Sequence, residues 1–406
     1  MSAPVVITGL GWIGAHGAGV EKLSAALASG EPCLREVDRS AGRHRPQGAR
    51  FAGLVPSERL AALVPPMLAR RMSYPSRLAV AATRLALADA GLAEKEPGFA
   101  TTGIVMATAY GPVRITEQLL EAILRQGPEQ ASPSLFTESV ANAPAAQMAL
   151  FCRALGPNLT LTQRKAGVLL ALAEGARLIT RGAADRVLVG AVDELTPLLH
   201  ALLDRFRFLA RPGAPGGEMA RPFDRRRSGV IASEGATVAV LESAAAAAAR
   251  GARARARLLG AWGGFDPSAP PLGWGRDPER LAATARRGLT RYGAVPAAID
   301  RVVAAAAGTP AGDRLEAGLL RALFPERLPP VLAPKGTLGE FGGGLLAAAI
   351  LAAGGDASWP TAGFAEPDPA LALVPHDGTP LPAPRLVFAS ALAVAGGAAW
   401  ALLSPP

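Results

Sequence analysis

Short β-branched runs alternate with alanine- and leucine-rich helical patterns along the chain, at 4–8, 103–108, 186–190, 237–241 and 300–304. The runs are almost wholly apolar, the pattern of strands covered on both faces. This alternation restricts the chain to an α/β fold with sheets buried between helices. At 406 residues it can bury one large core or two similar lobes. An internal repeat favours two. Pro75-Ser76-Arg77-Leu78 opens a helix ending near Gly91, followed by the strand Gly103-Ile104-Val105-Met106. Pro278-Glu279-Arg280-Leu281 opens a similar helix ending near Gly293, followed by Arg301-Val302-Val303-Ala304. The offset of roughly two hundred residues predicts equivalent halves. Their expected extents are 1–245 and 246–406, with the seam in the alanine-rich 244–256.

The segment Gly156-Pro157-Asn158-Leu159-Thr160-Leu161-Thr162-Gln163-Arg164-Lys165-Ala166-Gly167 reads as a strand fed through a sharp turn into a buried helix running to about Arg181. Such a junction presents one side chain, usually a nucleophile, beside the free N–H groups of a helix start. Here that side chain is the ammonium of Lys165. Gly9-Leu10-Gly11-Trp12-Ile13-Gly14 after Val5-Val6-Ile7 fits the G-x-G-x-x-G dinucleotide pattern. No acidic residue closes a second strand about twenty residues later, and Pro32 with Cys33 interrupts that region. A tight structural turn is therefore expected, and no nucleotide cofactor.

Half the residues are hydrophobic and 18% are charged, which excludes a disordered chain. The net charge of +9 is carried by arginine, since lysine occurs only at 22, 95, 165 and 335. No basic run is interleaved with aromatics, so a nucleic-acid partner is not expected, whereas an acidic protein partner would suit a basic surface. Cys33 and Cys152 lack metal spacing and read as reduced thiols of a cytoplasmic protein. Residues 1–11 form one apolar run without a basic n-region, and 342–354 and 389–403 are too short and too rich in Ala and Gly to span a bilayer. A soluble protein without membrane, metal or cofactor is expected. The irregular stretches 35–56, 211–228, 263–277 and 365–384 are expected to be functional covers or surface excursions.

Several ordered motifs together resemble the β-ketoacyl synthases of the thiolase superfamily. Arg221-Pro222-Phe223-Asp224-Arg225-Arg226-Arg227-Ser228-Gly229, continued by Glu234-Gly235-Ala236, is similar to that family's R-P-F-D-x-x-R-x-G…E-G-A. Val5 to Gly11 resembles its first strand, residues 85–91 (LALADAG) its alanine-rich helix, and Ala141-Asn142-Ala143-Pro144-Ala145-Ala146-Gln147 its N-x-x-A-G-x-I segment. Gly308-Thr309-Pro310-Ala311-Gly312-Asp313-Arg314-Leu315-Glu316 resembles G-T-P-x-x-D-x-x-E, and Pro334-Lys335-Gly336-Thr337-Leu338-Gly339 resembles K-S-x-x-G. The resemblance implies a thiolase-like five-layer αβαβα fold with two pseudo-equivalent halves.

It also implies a Cys-His-His condensing site with a supporting lysine, and this chain departs from that set. The cysteine position holds Lys165, the first histidine position Ala305, and the second Glu340; only Lys335 is retained. His16, His44, His200 and His376 lie outside these motifs, and the family's G-F-G-G gate appears as Val394-Ala395-Gly396-Gly397. Loss of the whole set resembles the chain-length-factor subunits of type II polyketide systems, which pair with an active ketosynthase and shape its acyl tunnel. Glutamine is common at the cysteine position in aromatic pathways, so lysine leaves the pathway type, polyketide or polyene, open.

The resemblance thus implies a catalytically silent subunit, a ketosynthase heterodimer and an acyl carrier protein as partners, with residues 159–162 at the seam and 110–141 walling the partner's pocket. Arg225, Arg226 and Arg227 either attract the acidic carrier or form a loop tied to Asp224 or Glu234. A protonated Lys165 needs an anion, and Glu340 can supply it as a pocket-filling ion pair, with Lys335 a further ion-pair partner. Two alternatives stay open. One is a neutral Lys165 serving an acyltransferase or decarboxylase; the other is a homodimeric acyl-binding protein.

Overall fold

The computed structural model describes residues 4–94, 97–355 and 357–406. Among the described residues the main sheet has eleven strands, of which ten form its continuous path: β1 Val5–Gly14, β2 Thr102–Ala107, β3 Asn158–Leu161, β4 Arg186–Asp193, β5 Gly235–Ser243, β6 Ala256–Phe265, β7 Arg301–Ala304, β8 Val331–Leu332, β9 Val387–Leu392 and β10 Gly397–Ser404, while the short strand Gly17–Ala18 pairs with the end of β1. Eight helices position the site: α1 Tyr74–Asp89, α2 Val113–Gln126, α3 Pro133–Ser139, α4 Ala143–Cys152, α5 Gly167–Thr180, α6 Pro278–Arg291, α7 Pro310–Leu323 and α8 Gly342–Gly354.

The strand order β3-β2-β4-β5-β1-β6-β10-β9-β7-β8 is symmetric about the β1–β6 contact. From β1 outwards the directions run antiparallel to β5, antiparallel to β4, parallel to β2 and parallel to β3. From β6 outwards they run antiparallel to β10, antiparallel to β9, parallel to β7 and parallel to β8. The two halves therefore repeat one topology, and the repeated helix–strand pairs of the sequence are α1 with β2 and α6 with β7.

Helices α5 and α8 contact strands of both halves and form the central layer, while α1 and α4 cover one outer face and α6 and α7 the other. This is the five-layer αβαβα arrangement. Helix α8 is apolar and buried around almost its whole circumference, as its central place requires. The large cluster between the sheets, from Ile7 and Trp12 through Leu169 and Leu172 to Leu345 and Ala389, is the core.

The G-x-G-x-x-G segment is not a turn. Strand β1 continues through it to Gly14, with a register shift against β5 between Ile7 and Gly9, and residues 5–11 of the apolar run lie in the same strand. A Cβ on Gly9 would lie 2.3 Å from the Ala86 carbonyl oxygen, and one on Gly11 would lie 1.9 Å from that of Ala82. The glycines let α1 lie directly on the strand. Among the described residues, no helix is long and apolar enough to cross a membrane.

Candidate functional site

Lys165 sits where a strand, a strained turn and a buried helix meet. Strand β3 follows β2 in parallel register up to Ala107↔Leu161. Arg164 then takes a left-handed φ of 48°, which is unfavourable for a residue with a side chain. One 3-10 turn, Arg164–Ala166, delivers the chain into α5. A Cβ on Gly167 would stand only 3.2 Å from that of Ala107, so the start of α5 lies close against β2.

Glu340 faces Lys165 from the turn before α8. Its N–H donates to the Ile231 carbonyl at 2.8 Å, and its own carbonyl accepts from Ser233 N–H at 3.2 Å. The segment leading into the Glu234-Gly235-Ala236 motif thus fixes the backbone that carries this carboxylate. The expected pairing is formed: the Lys165 ammonium lies 2.5 Å from Glu340 Oε2. Lys335, wholly buried, donates to Glu340 Oε1 at 2.7 Å. One carboxylate therefore bridges two ammonium groups.

Burial alone would raise the Glu340 pKa, but Lys165 and Lys335 outweigh it and hold the carboxyl below the usual glutamate range. Burial draws Lys335 below the usual lysine range, against the pull of Glu340. Two aromatic rings complete the surroundings of Lys165. Its Nζ lies 5.5 Å from the Phe208 ring centre and 5.4 Å from that of Trp274, both within cation–π range.

Ala305, expected from the sequence at the first histidine position, places a buried methyl group after β7 and donates its N–H to Glu316 Oε1 at 3.2 Å. The motif carboxylates thus serve the backbone: Asp313 accepts from Phe223 N–H at 2.9 Å and from Gly308 N–H at 3.1 Å. Burial pushes Asp313 up to about 6 and Glu316 up to about 7. Among the described residues no histidine lines the cavity beside Lys165, and no cluster of His, Cys, Asp and Glu could hold a metal ion.

The space left beside Lys165 is about 40 Å³, lined by Tyr110, Arg164, Asp193, Glu194, Phe208, Glu340 and Val394 among others. A cavity needs about 10–15 Å³ of such space to hold one water, so there is room for water beside the ion pair. Burial pushes Asp193 up to about 6 and Glu194 up to about 7. Asp193 is held by Ala109 N–H at 2.7 Å, Gly342 N–H at 3.2 Å and the Thr108 hydroxyl at 3.2 Å. Glu194 accepts from Arg114 N–H at 2.9 Å through one oxygen, while the other lies buried without a partner.

A raised carboxylate binds more protons folded than unfolded, so its contribution favours folding at low pH and is lost as pH rises through the folded pKa. For Glu194 that window runs from about pH 4.5 to about 7. Glu194→Gln is expected to raise the urea midpoint at pH 8 and to flatten its decline between pH 5 and 8, read by denaturant titration across that range.

The arginine loop is tied down, but not to Glu234. Arg226 pairs with Asp224 at 3.2 Å, Arg225 with Glu366 at 3.0 Å and Arg227 with Asp368 at 2.6 Å. Glu234 instead accepts from the Tyr74 hydroxyl at 2.7 Å and Val55 N–H at 3.0 Å. Sequence reasoning also missed Phe208, Trp274, Asp193 and Glu194. For Trp274 there was a signal, a lone tryptophan in an irregular stretch of an aromatic-poor chain.

Residues 2–247 match the family described as beta-ketoacyl synthase, N-terminal domain, and residues 274–353 its C-terminal domain. The chain belongs to the beta-ketoacyl synthase family. Within that family it is of the type II polyketide ketosynthase and chain-length-factor kind. It is 33% identical to a putative polyketide beta-ketoacyl synthase 2 of Streptomyces halstedii, over 86% of this chain and 84% of that one. It is 31% identical to the tetracenomycin polyketide synthase ketoacyl synthase beta subunit of Streptomyces glaucescens, over 91% of this chain and 90% of that one. Among solved structures, the ishigamide ketosynthase/chain length factor superposes with a TM-score of 0.87 at 30% identity, covering both chains fully. A type II ketosynthase in complex with its acyl-carrier protein shares the fold, with a TM-score of 0.86 at 20% identity.

Proposed function

We propose that this chain is a catalytically silent, chain-length-factor-type subunit that pairs with an active ketosynthase and shapes its acyl tunnel in type II polyketide or polyene biosynthesis. The observation that carries this reading is the Lys165–Glu340–Lys335 bridge at the place of the condensing set. A thiol there would accept an acyl group, and two histidines would hydrogen-bond the malonyl thioester oxygen and assist decarboxylation. Lys165 is an ammonium held by a carboxylate, Ala305 has no donor beyond its backbone, and Glu340 would repel a malonyl carboxylate. The space left beside Lys165 is small, about 40 Å³. These features also weigh against a Lys165-dependent acyltransferase or decarboxylase, which needs a neutral amine facing open space.

Pairing is supported by the outer edge of the sheet. Among the described residues strand β3 has β2 on one side only, and Leu159 is half-exposed on it. Nearby, α2 and α3 turn Leu120, Leu124 and Phe136 outwards at 51%, 84% and 62% exposure, an apolar wall suited to a hydrophobic partner or acyl chain. The acidic acyl carrier protein would approach the assembled pair.

The test is co-expression with an intact Cys-His-His ketosynthase from the same biosynthetic system. Condensation and co-purification of the two chains are expected together, with condensation lost when this chain is withheld. Unchanged product length and yield without it would contradict the reading. A stable homodimer that ignores every ketosynthase would favour the acyl-binding alternative.

A further inference from the structure

We propose that Glu340, Phe208 and Trp274 form a binding box for a primary alkylammonium ion, occupied in this chain by its own Lys165, and that this occupation fastens two loops shut over the site. The box has one anionic wall and two aromatic walls. Glu340 Oε2 lies 2.5 Å from the ammonium, and the ring centres of Phe208 and Trp274 stand at 5.5 and 5.4 Å. A carboxylate with ring faces is the arrangement that selects cationic nitrogen. Lys335 holds the other carboxylate oxygen, so the carboxylate stays in place whether or not Lys165 fills the box.

The walls come from segments far apart in sequence. Phe208 follows the left-handed residue Arg207 after the helix Pro197–Arg205. The irregular stretch expected at 263–277 begins only at Asp266, because β6 takes its first three residues; Trp274 belongs to it and rests against Gly312, where a Cβ would lie 2.6 Å from its Cζ2. Beside Trp274, the Gly273 carbonyl accepts from Ala395 N–H at 2.8 Å, and Asp266 N–H donates to the Gly396 carbonyl at 2.9 Å. The loop 266–277 that follows β6 is thus bonded to the turn Val394–Gly396, in which Ala395 holds a left-handed φ of 63°. Lys165 meets this double-loop unit through Trp274. Without the ammonium the unit keeps these two hydrogen bonds, the packing of Trp274 on Gly312 and the core beside it, and the bonds that Asp266 accepts from the Ser268 and Asp277 N–H groups, but it loses its tie to Lys165 and Glu340.

The experiment reads backbone hydrogen exchange of Asp266 and Ala395 in the isolated full-length chain, for the native protein and for Lys165→Ala and Lys165→Met. Lys165→Ala removes the equivalent of n-propylammonium, and that ion is the probe, with 1-propanol as the neutral control. Both substitutions are expected to speed exchange at the two amides by about tenfold, the effect of losing a partly desolvated cation–π contact. n-Propylammonium should restore protection in Lys165→Ala, and 1-propanol should not. Native-like protection in Lys165→Met, or equal rescue by the alcohol, would overturn the proposal; if Lys165→Ala does not fold, the Met variant alone decides it. The inference rests on the reading of Lys165 as a structural group. No ketosynthase enters the measurement, so its failure is distinguishable from failure of the pairing experiment.

Discussion

Glu340→Leu is expected to lower folding stability by about 3–5 kcal/mol, the range for removing one partner from a buried ion cluster. Two ammonium groups depend on this carboxylate, Lys335 without solvent exposure and Lys165 with 11% of its side chain exposed. Removal of either lysine leaves Glu340 one partner, whereas removal of Glu340 leaves both lysines without their shared anion. The loss should shrink at alkaline pH. Lysines without an anion have depressed folded pKa values, the unfolded chain then binds more protons, and stability rises with pH across that window. Combining Glu340→Leu with Lys165→Met and Lys335→Met is expected to recover most of the loss, because apolar groups of similar volume often replace a buried ion cluster at little cost. Urea unfolding of the single and triple variants at pH 7 and pH 9.5 measures both effects. A single variant within about 1 kcal/mol of the native protein would show that the bridge is not a buried charge cluster.

Gly11→Ala is expected to cost about 3 kcal/mol, at the upper end of the range for overpacking a core. Its new methyl carbon would fall 1.9 Å from the Ala82 carbonyl oxygen and 2.5 Å from the Ala86 nitrogen. Both contacts are with helix backbone, so no side-chain rotation relieves them, and α1 would have to move off β1. Gly213→Ala, where no atom lies within 4 Å of the new Cβ, is the matched control and should unfold like the native chain. A Gly11→Ala urea midpoint equal to that of the control would mean that the strand–helix spacing is not fixed by this glycine.

The architecture was legible because two independent signals agreed. Buried, nearly uninterrupted β-branched runs demanded covered strands, and the repeated Pro-x-Arg-Leu helix starts marked α1 and α6 as equivalents. The Lys165–Glu340 contact was legible for a different reason: each residue is held in register by a motif, so their meeting did not depend on loop conformation. Trp274 and Phe208 were hidden because irregular segments carry them, and nothing local in those segments specifies which ring meets an ammonium. Glycines 9, 11 and 14 misled because a local pattern suggests a local turn, whereas the need for Gly9 and Gly11 comes from Ala82 and Ala86 on a helix some seventy residues away. The arginine loop was legible in part: Arg226 pairs with Asp224 as expected, but the other pairings were not. Two of its partners, Glu366 and Asp368, lie about 140 residues downstream, beyond the reach of spacing arguments.

The proposed absence of chemistry at Lys165 is tested most directly by peptide mass spectrometry of the chain paired with an active ketosynthase. The assembled pair is incubated with acyl- and malonyl-loaded carrier protein, treated with borohydride and digested. The acyl group is expected on the partner's cysteine, with the peptide containing Lys165 recovered unmodified. An acyl amide or a borohydride-reduced adduct on Lys165 would contradict the account and identify the lysine as a nucleophile.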